Sequence, residues 1–149
     1  MKRAKALNAP AILLASAART ESGLSDETQL APGVKALFFL LDVTGADKDA
    51  GDTLNVYIQE SPDGGTTWND FVSFAQLTGE SEAANQLAIV RCEAGPETAE
   101  LAATTDATLV AGSVRQGPVA SLLRAKYVIA DSGDEDQTFT FSLRMMAIR

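Results

Sequence analysis

Thr138–Ile148 (TFTFSLRMMAI) decides how the rest of the chain reads. Phe139, Phe141, Leu143, Met145 and Ala147 fall on one side of an extended chain, with Thr138, Thr140, Ser142 and Arg144 on the other. Successive side chains of a strand point to opposite faces, so this spacing of two predicts a half-buried β-strand. An acidic turn, Asp131–Asp136, precedes it, and before that Val119–Ala130 alternates through Leu123, Ala125, Tyr127 and Ile129. Further upstream Leu54, Val56 and Ile58 face one way, and Asn55, Tyr57 and Gln59 the other. Val34–Thr44 (VKALFFLLDVT) is a nearly unbroken apolar run with two Phe, as expected of a strand inside a sandwich, and Gly45–Asp52 is turn chemistry. Leu87–Cys92 (LAIVRC) and Leu109–Val114 supply further apolar runs, while Leu101–Thr108 is weakly patterned.

About eight short strands with turn signals between them, and no amphipathic helix, predict an all-β fold. The expected form is an antiparallel β-sandwich of jelly-roll or Greek-key type. A length of 149 residues fits one core. The expected organisation is an extended N-terminal arm over residues 1–20 and a single sandwich domain over 21–149.

Composition narrows the chemistry. Hydrophobic residues make up 46% and charged residues 21%, which argues against a wholly disordered chain. The chain has no His, so Ser-His-Asp and Cys-His machinery cannot be assembled from it. With Cys92 as the one thiol, a zinc site would need carboxylates for its other ligands, and no disulfide can form within the chain. Neither an enzyme nor a bound cofactor or metal is expected.

Charge is segregated. Residues 1–20 carry Lys2, Arg3, Lys5 and Arg19 and no acid; residues 21–114 carry 3 basic and 16 acidic residues; the whole chain is at −8. Such an acidic body repels phosphate backbones, so nucleic acid is not an expected partner. The basic segment, followed by apolar Ile12, Leu13 and Leu14, reads as an arm that docks on a neighbouring subunit. The competing reading makes Ile12–Leu14 the first strand of the domain's own sheet. A basic start, the apolar Ala11–Ala15 and Ala15-Ser16-Ala17 follow the order of a secretory signal, but Asn8 and Pro10 interrupt the short apolar segment and no signal peptide is expected. No apolar run approaches the 18–20 or so residues that span a bilayer as a helix, so no membrane anchor is expected.

Ser61-Pro62-Asp63-Gly64-Gly65-Thr66-Thr67-Trp68 resembles the Asp-box of sialidases and related propellers, a turn motif in which Asp and Ser lock a hairpin above a packed Trp. One box in a short chain implies a structural hairpin built on Ser61, Asp63, Gly65 and Trp68. Two acidic clusters, Asp47/Asp49/Asp52 and Asp131/Asp134/Glu135/Asp136, raise a calcium hypothesis, yet neither has EF-hand spacing and both are expected to be solvated turns. Asp63 and Asp70 could be paired as an acid and base of the glycosidase kind, although nothing in the sequence fixes their separation.

Three stretches together resemble the small β-sandwich structural proteins in the virions of tailed bacteriophages. They are Leu40–Thr44; Val56–Phe74, with its Ser-Pro-Asp-Gly-Gly turn and Trp-bearing return strand; and Leu122–Met145. Cys92 and the polar loop Glu93–Asp106 lie outside the likeness. The resemblance implies a non-enzymatic virion component assembled in the host cytoplasm. Capsid decoration is the expected role: a cement protein, often trimeric, bound to the major capsid protein. The alternatives are a neck or tail position, or a carbohydrate-binding sandwich using Trp68, Tyr57 and acidic loops.

Overall fold

The computed structural model describes residues 10–46, 49–80, 84–93, 105–133 and 136–149. Every regular element among them is a strand: β1 (Ala11–Arg19), β2 (Gly23–Leu24), β3 (Thr28–Gln29), β4 (Ala36–Ala46), β5 (Thr53–Ser61), β6 (Asn69–Ser73), β7 (Leu77–Thr78), β8 (Ala84–Arg91), β9 (Ser113–Val114), β10 (Leu122–Ala130) and β11 (Phe139–Ile148). No helix among these residues is long and apolar enough to cross a membrane.

Two antiparallel sheets face each other. One has the order β1-β11-β4-β8; the other runs β2-β10-β5-β6-β9, with β3 against β10 and β7 against β5. The pairs β1 with β11, β2 with β10, β4 with β8 and β5 with β6 nest inside one another along the chain. A long hairpin folded over in this way, with its strands shared between two sheets, is a jelly roll. The eleven strands among the described residues exceed the expected eight or so; four of them, β2, β3, β7 and β9, are two-residue pairings.

The inner faces hold the residues whose alternation marked the strands. Leu37, Phe39, Leu41 and Val43 of β4 meet Leu54, Val56 and Ile58 of β5, with Leu123 and Ala125 of β10 and Phe139, Phe141 and Leu143 of β11 beside them, all buried. Each such side chain contributes about 1.5–3 kcal/mol when fully removed from water. Two edge-to-face ring pairs join the sheets, Phe39 with Phe71 at 5.8 Å and Tyr127 with Phe141 at 5.4 Å between centroids.

The boundary expected at residue 20 is corrected. Ala11–Arg19 is a strand of the domain, and Leu14, opposite Leu143, is part of the core. The reason is physical: without β1, the apolar inner row of β11 would lie at an open sheet edge. Two register shifts, after Ile12 and after Leu14, make this outermost strand irregular. The Arg19 guanidinium curls back along it and donates to the carbonyls of Ala15 (2.7 Å), Ala17 (3.1 Å) and Phe141 (2.7 Å). At the opposite edge, Gln116 serves β8 in the manner of a missing strand. Its Oε1 accepts from Arg91 N at 2.6 Å and its Nε2 donates to Ile89 O at 2.9 Å.

Candidate docking surface and the polar clusters around it

The expected docking residues part company. Lys2, Arg3 and Lys5 lie outside the described residues. Arg19 is used within the fold: besides its three carbonyl bonds, its guanidinium lies 4.4 Å from the ring centre of Phe141 and 5.4 Å from that of Tyr127. Leu14 is buried and Leu13 is half-buried, whereas Ile12 is 64% exposed on the outer side of its sheet.

The hairpin residues converge. Ser61 Oγ donates to Asp63 Oδ1 (2.9 Å) and accepts from Gly65 N (2.7 Å); Asp63 Oδ1 also accepts from Thr67 N (2.8 Å), and Trp68 Nε1 donates to Gly65 O (3.0 Å). Gly64 and Gly65 have φ of 75° and 99°, a region that side chains with a Cβ seldom adopt. The bond from the Thr67 backbone, then those from the Thr67 and Ser61 side chains, hold the Asp63 carboxyl below its ordinary pKa.

Next to this turn lies a network that sequence reading missed. Gln59, on the outer face of β5, is buried; its Nε2 donates to Asp70 Oδ1 (2.7 Å) and Asp106 Oδ1 (2.8 Å), and its Oε1 accepts from Arg124 Nε (2.8 Å). Asp70 in turn grips a loop, accepting from the backbone N–H groups of Ala107, Thr108 and Leu109 at 2.9–3.0 Å. Lys126 donates to Asp106 at 2.8 Å, and this bond, followed by that from Gln59, lowers the Asp106 pKa. Asp70 and Asp63 are thus tied into separate hydrogen-bond networks. Only the alternation that put Gln59 opposite the core residues hinted at this, since a burying loop is invisible to a period-two pattern.

The two aromatic side chains proposed for sugar stacking are covered. Trp68 is 9% exposed with the Arg124 guanidinium 4.1 Å over its ring, and Tyr57 is 8% exposed. Burial, and then the charge of Asp70, raise the Tyr57 pKa.

The acidic turns meet at one end of the sandwich. Carboxylate oxygens of Asp49, Asp52 and Asp136 come within 4.8 Å of one another, which their separation in sequence did not disclose. Asp52 is buried and its Oδ1 accepts from Ser132 N at 2.8 Å, joining the β4–β5 turn to the β10–β11 turn. Three carboxylates are about half of the six to eight oxygens that calcium takes.

The largest unsatisfied feature is apolar. By register, Phe38 and Leu40 of β4, Leu87 and Ile89 of β8, and Met146 and Ile148 of β11 all project from the outer face of the four-stranded sheet, level with Ile12 of β1. Leu87 is 58% exposed, Ile89 40% and Leu40 37%. A shallow groove of about 400 Å³ lined by Pro10, Phe38, Leu40, Leu87, Arg144 and Met146 crosses the patch, and the exposed Arg144 stands within it, between Leu40 and Ile12. The signal was present in the sequence: VKALFFLLDVT and LAIVRC are apolar at both alternate positions, and Met146 and Ile148 break the polar row of the last strand. A strand that is apolar on both faces needs cover on both.

Fold and surface together define an all-β jelly-roll sandwich with exposed apolar side chains on the outer face of one sheet. Comparison of the chain with protein-family models, with curated proteins and with solved structures returns no match.

Proposed function

We propose that this protein is a non-enzymatic structural component of a tailed-phage virion, most specifically a capsid decoration protein that binds the shell and stabilises it as part of an oligomer. The observation that carries the reading is the apolar outer face of the four-stranded sheet, since contiguous exposed apolar patches mark surfaces that another protein covers. Jelly rolls occur in both virion and sugar-binding domains, so the fold alone is an analogy and does not choose between them. The buried state of Trp68 and Tyr57 speaks against the sugar-binding alternative. The polar clusters support a mechanical role, because Ser61, Asp63, Gln59, Asp70 and Arg19 each hold a turn, loop or strand edge in place.

The test is addition of purified protein to shells lacking it, followed by particle imaging and a thermal shift of the shell. Regular density on the outer lattice and a raised shell melting temperature are expected. Density confined to the neck or tail would move the protein there, and absence of binding to any particle would overturn the reading.

A further inference from the structure

We infer that Thr105–Leu109 is an acid-released strap, a loop held on the outer face of β5 and β6 by two carboxylates that opens as its own unit while both sheets stay folded.

What holds the loop is polar. Asp70 of β6 accepts from Ala107 N (3.0 Å) at Oδ1 and from Thr108 N (2.9 Å) and Leu109 N (3.0 Å) at Oδ2, and its own backbone N donates to Thr105 O (3.0 Å). Asp106, on the loop itself, accepts from Gln59 Nε2 and Lys126 Nζ, each at 2.8 Å. Apolar burial adds little: Ala107 and Leu109 are half-buried, and neither joins the hydrophobic core. A cleft of about 300 Å³, lined by Thr66, Thr67, Trp68, Thr105 and Asp106, lies between the loop and the neighbouring hairpin. Segments with few buried apolar contacts are the ones that open locally at the lowest free energy.

The backbone of the loop pulls the same way. Ala107 has φ of 56°, the one non-glycine residue with positive φ among the described residues. That conformation is costly for a residue with a Cβ and persists where surrounding bonds impose it. Here the imposing group is Asp70, whose loop bonds begin at Ala107 N. Three backbone N–H groups and the Gln59 amide converge on its carboxylate, which serves them because both oxygens accept. Protonation adds a donor where donors already converge. Asp70 lies opposite Gln59, on the outer side of its sheet, so release of the loop leaves the packing between the sheets in place.

The charged and titratable groups around these carboxylates, among the described residues, come from three sides. β10 presents Arg124 and Lys126, with Glu27 near Arg124; β5 presents Tyr57; and Arg115, after β9, is paired with Glu60. The bond from Lys126, then that from Gln59, keep the Asp106 pKa below its ordinary value. The share of the hold that Asp106 supplies is therefore complete above about pH 4 and is lost as pH falls through the lowered value.

Backbone amide exchange of the full, isotope-labelled chain is followed by NMR, corrected for the intrinsic rate at each pH. At pH 7 the amides of Ala107, Thr108 and Leu109 are expected to be protected and to exchange through an opening that barely responds to low urea, unlike those of the β5–β10 ladder. Towards pH 3 they should lose about 10-fold or more of their protection while the ladder stays protected. Asp70→Asn should bring the same loss to pH 7 with native far-UV circular dichroism, since an amide offers one accepting oxygen in place of two. Unprotected strap amides in the native chain at pH 7, one urea slope shared by strap and ladder, acid loss that comes only with loss of the ladder, or a folded Asp70→Asn chain with native strap protection would each overturn the inference. Should Asp70→Asn fail to fold, the urea slopes and the acid series of the unaltered chain decide alone.

Discussion

Asp70 is the residue on which most backbone groups depend. Its carboxylate accepts from three successive backbone N–H groups and from Gln59, so truncation strands several donors at once. Asp70→Ala is expected to cost about 3 kcal/mol or more, measured by urea unfolding, because each unsatisfied buried group costs about 1–3 kcal/mol. Ser61→Ala removes one acceptor from the hairpin and should cost about 1 kcal/mol. Asp63 and Asp106 both have pKa values held below the ordinary carboxylate value. Their contribution to stability is therefore complete above about pH 4 and is lost as pH falls through the lowered values. Melting temperatures recorded from pH 7 to pH 3 should fall below about pH 4, and the double variant Asp63→Asn/Asp106→Asn should fall less over that range. These roles divide in legibility: Ser61, Asp63, Gly65 and Trp68 lie within eight consecutive residues and a local turn needs only local sequence. Asp70 works on a loop 37–39 residues away, and no spacing rule reports such a partner.

At the level of elements, β1 is where sequence reading and structure diverge. The basic residues before it drew attention to docking, but Leu14 opposite Leu143 makes the segment a strand. Deleting residues 1–18 is expected to unfold or aggregate the isolated chain, because losing one core leucine alone costs about 2–5 kcal/mol and β11 loses its neighbour as well. A soluble truncated protein with native circular dichroism would contradict this. Strands β4, β5, β10 and β11 were legible because each buries a whole alternate row. The two-residue strands β2, β3, β7 and β9 were not, since so short a pairing has no period to display. The acidic turns meet only because β4–β5 and β10–β11 cross between the sheets side by side. With half a calcium ligand set, a chelator should shift the melting temperature by no more than about a degree.

For the molecule as a whole, one core shared by both sheets predicts a single cooperative transition. Emission of Trp68, buried under Arg124, and far-UV circular dichroism should give coincident denaturant curves. Separate midpoints would mean that the sheets unfold independently. The two rims of the four-stranded sheet have a further consequence, for how growth stops. An exposed rim of backbone amides can recruit strand after strand, and such recruitment has no natural end. Here the register of β1 is broken twice, and Gln116 occupies the β8 rim at Ile89 and Arg91. Both features disfavour lateral addition of strands at these rims. Gln116→Ala should unblock one rim, and thioflavin fluorescence rising after a lag, in a chain still natively folded at the outset, would register strand addition at the freed edge.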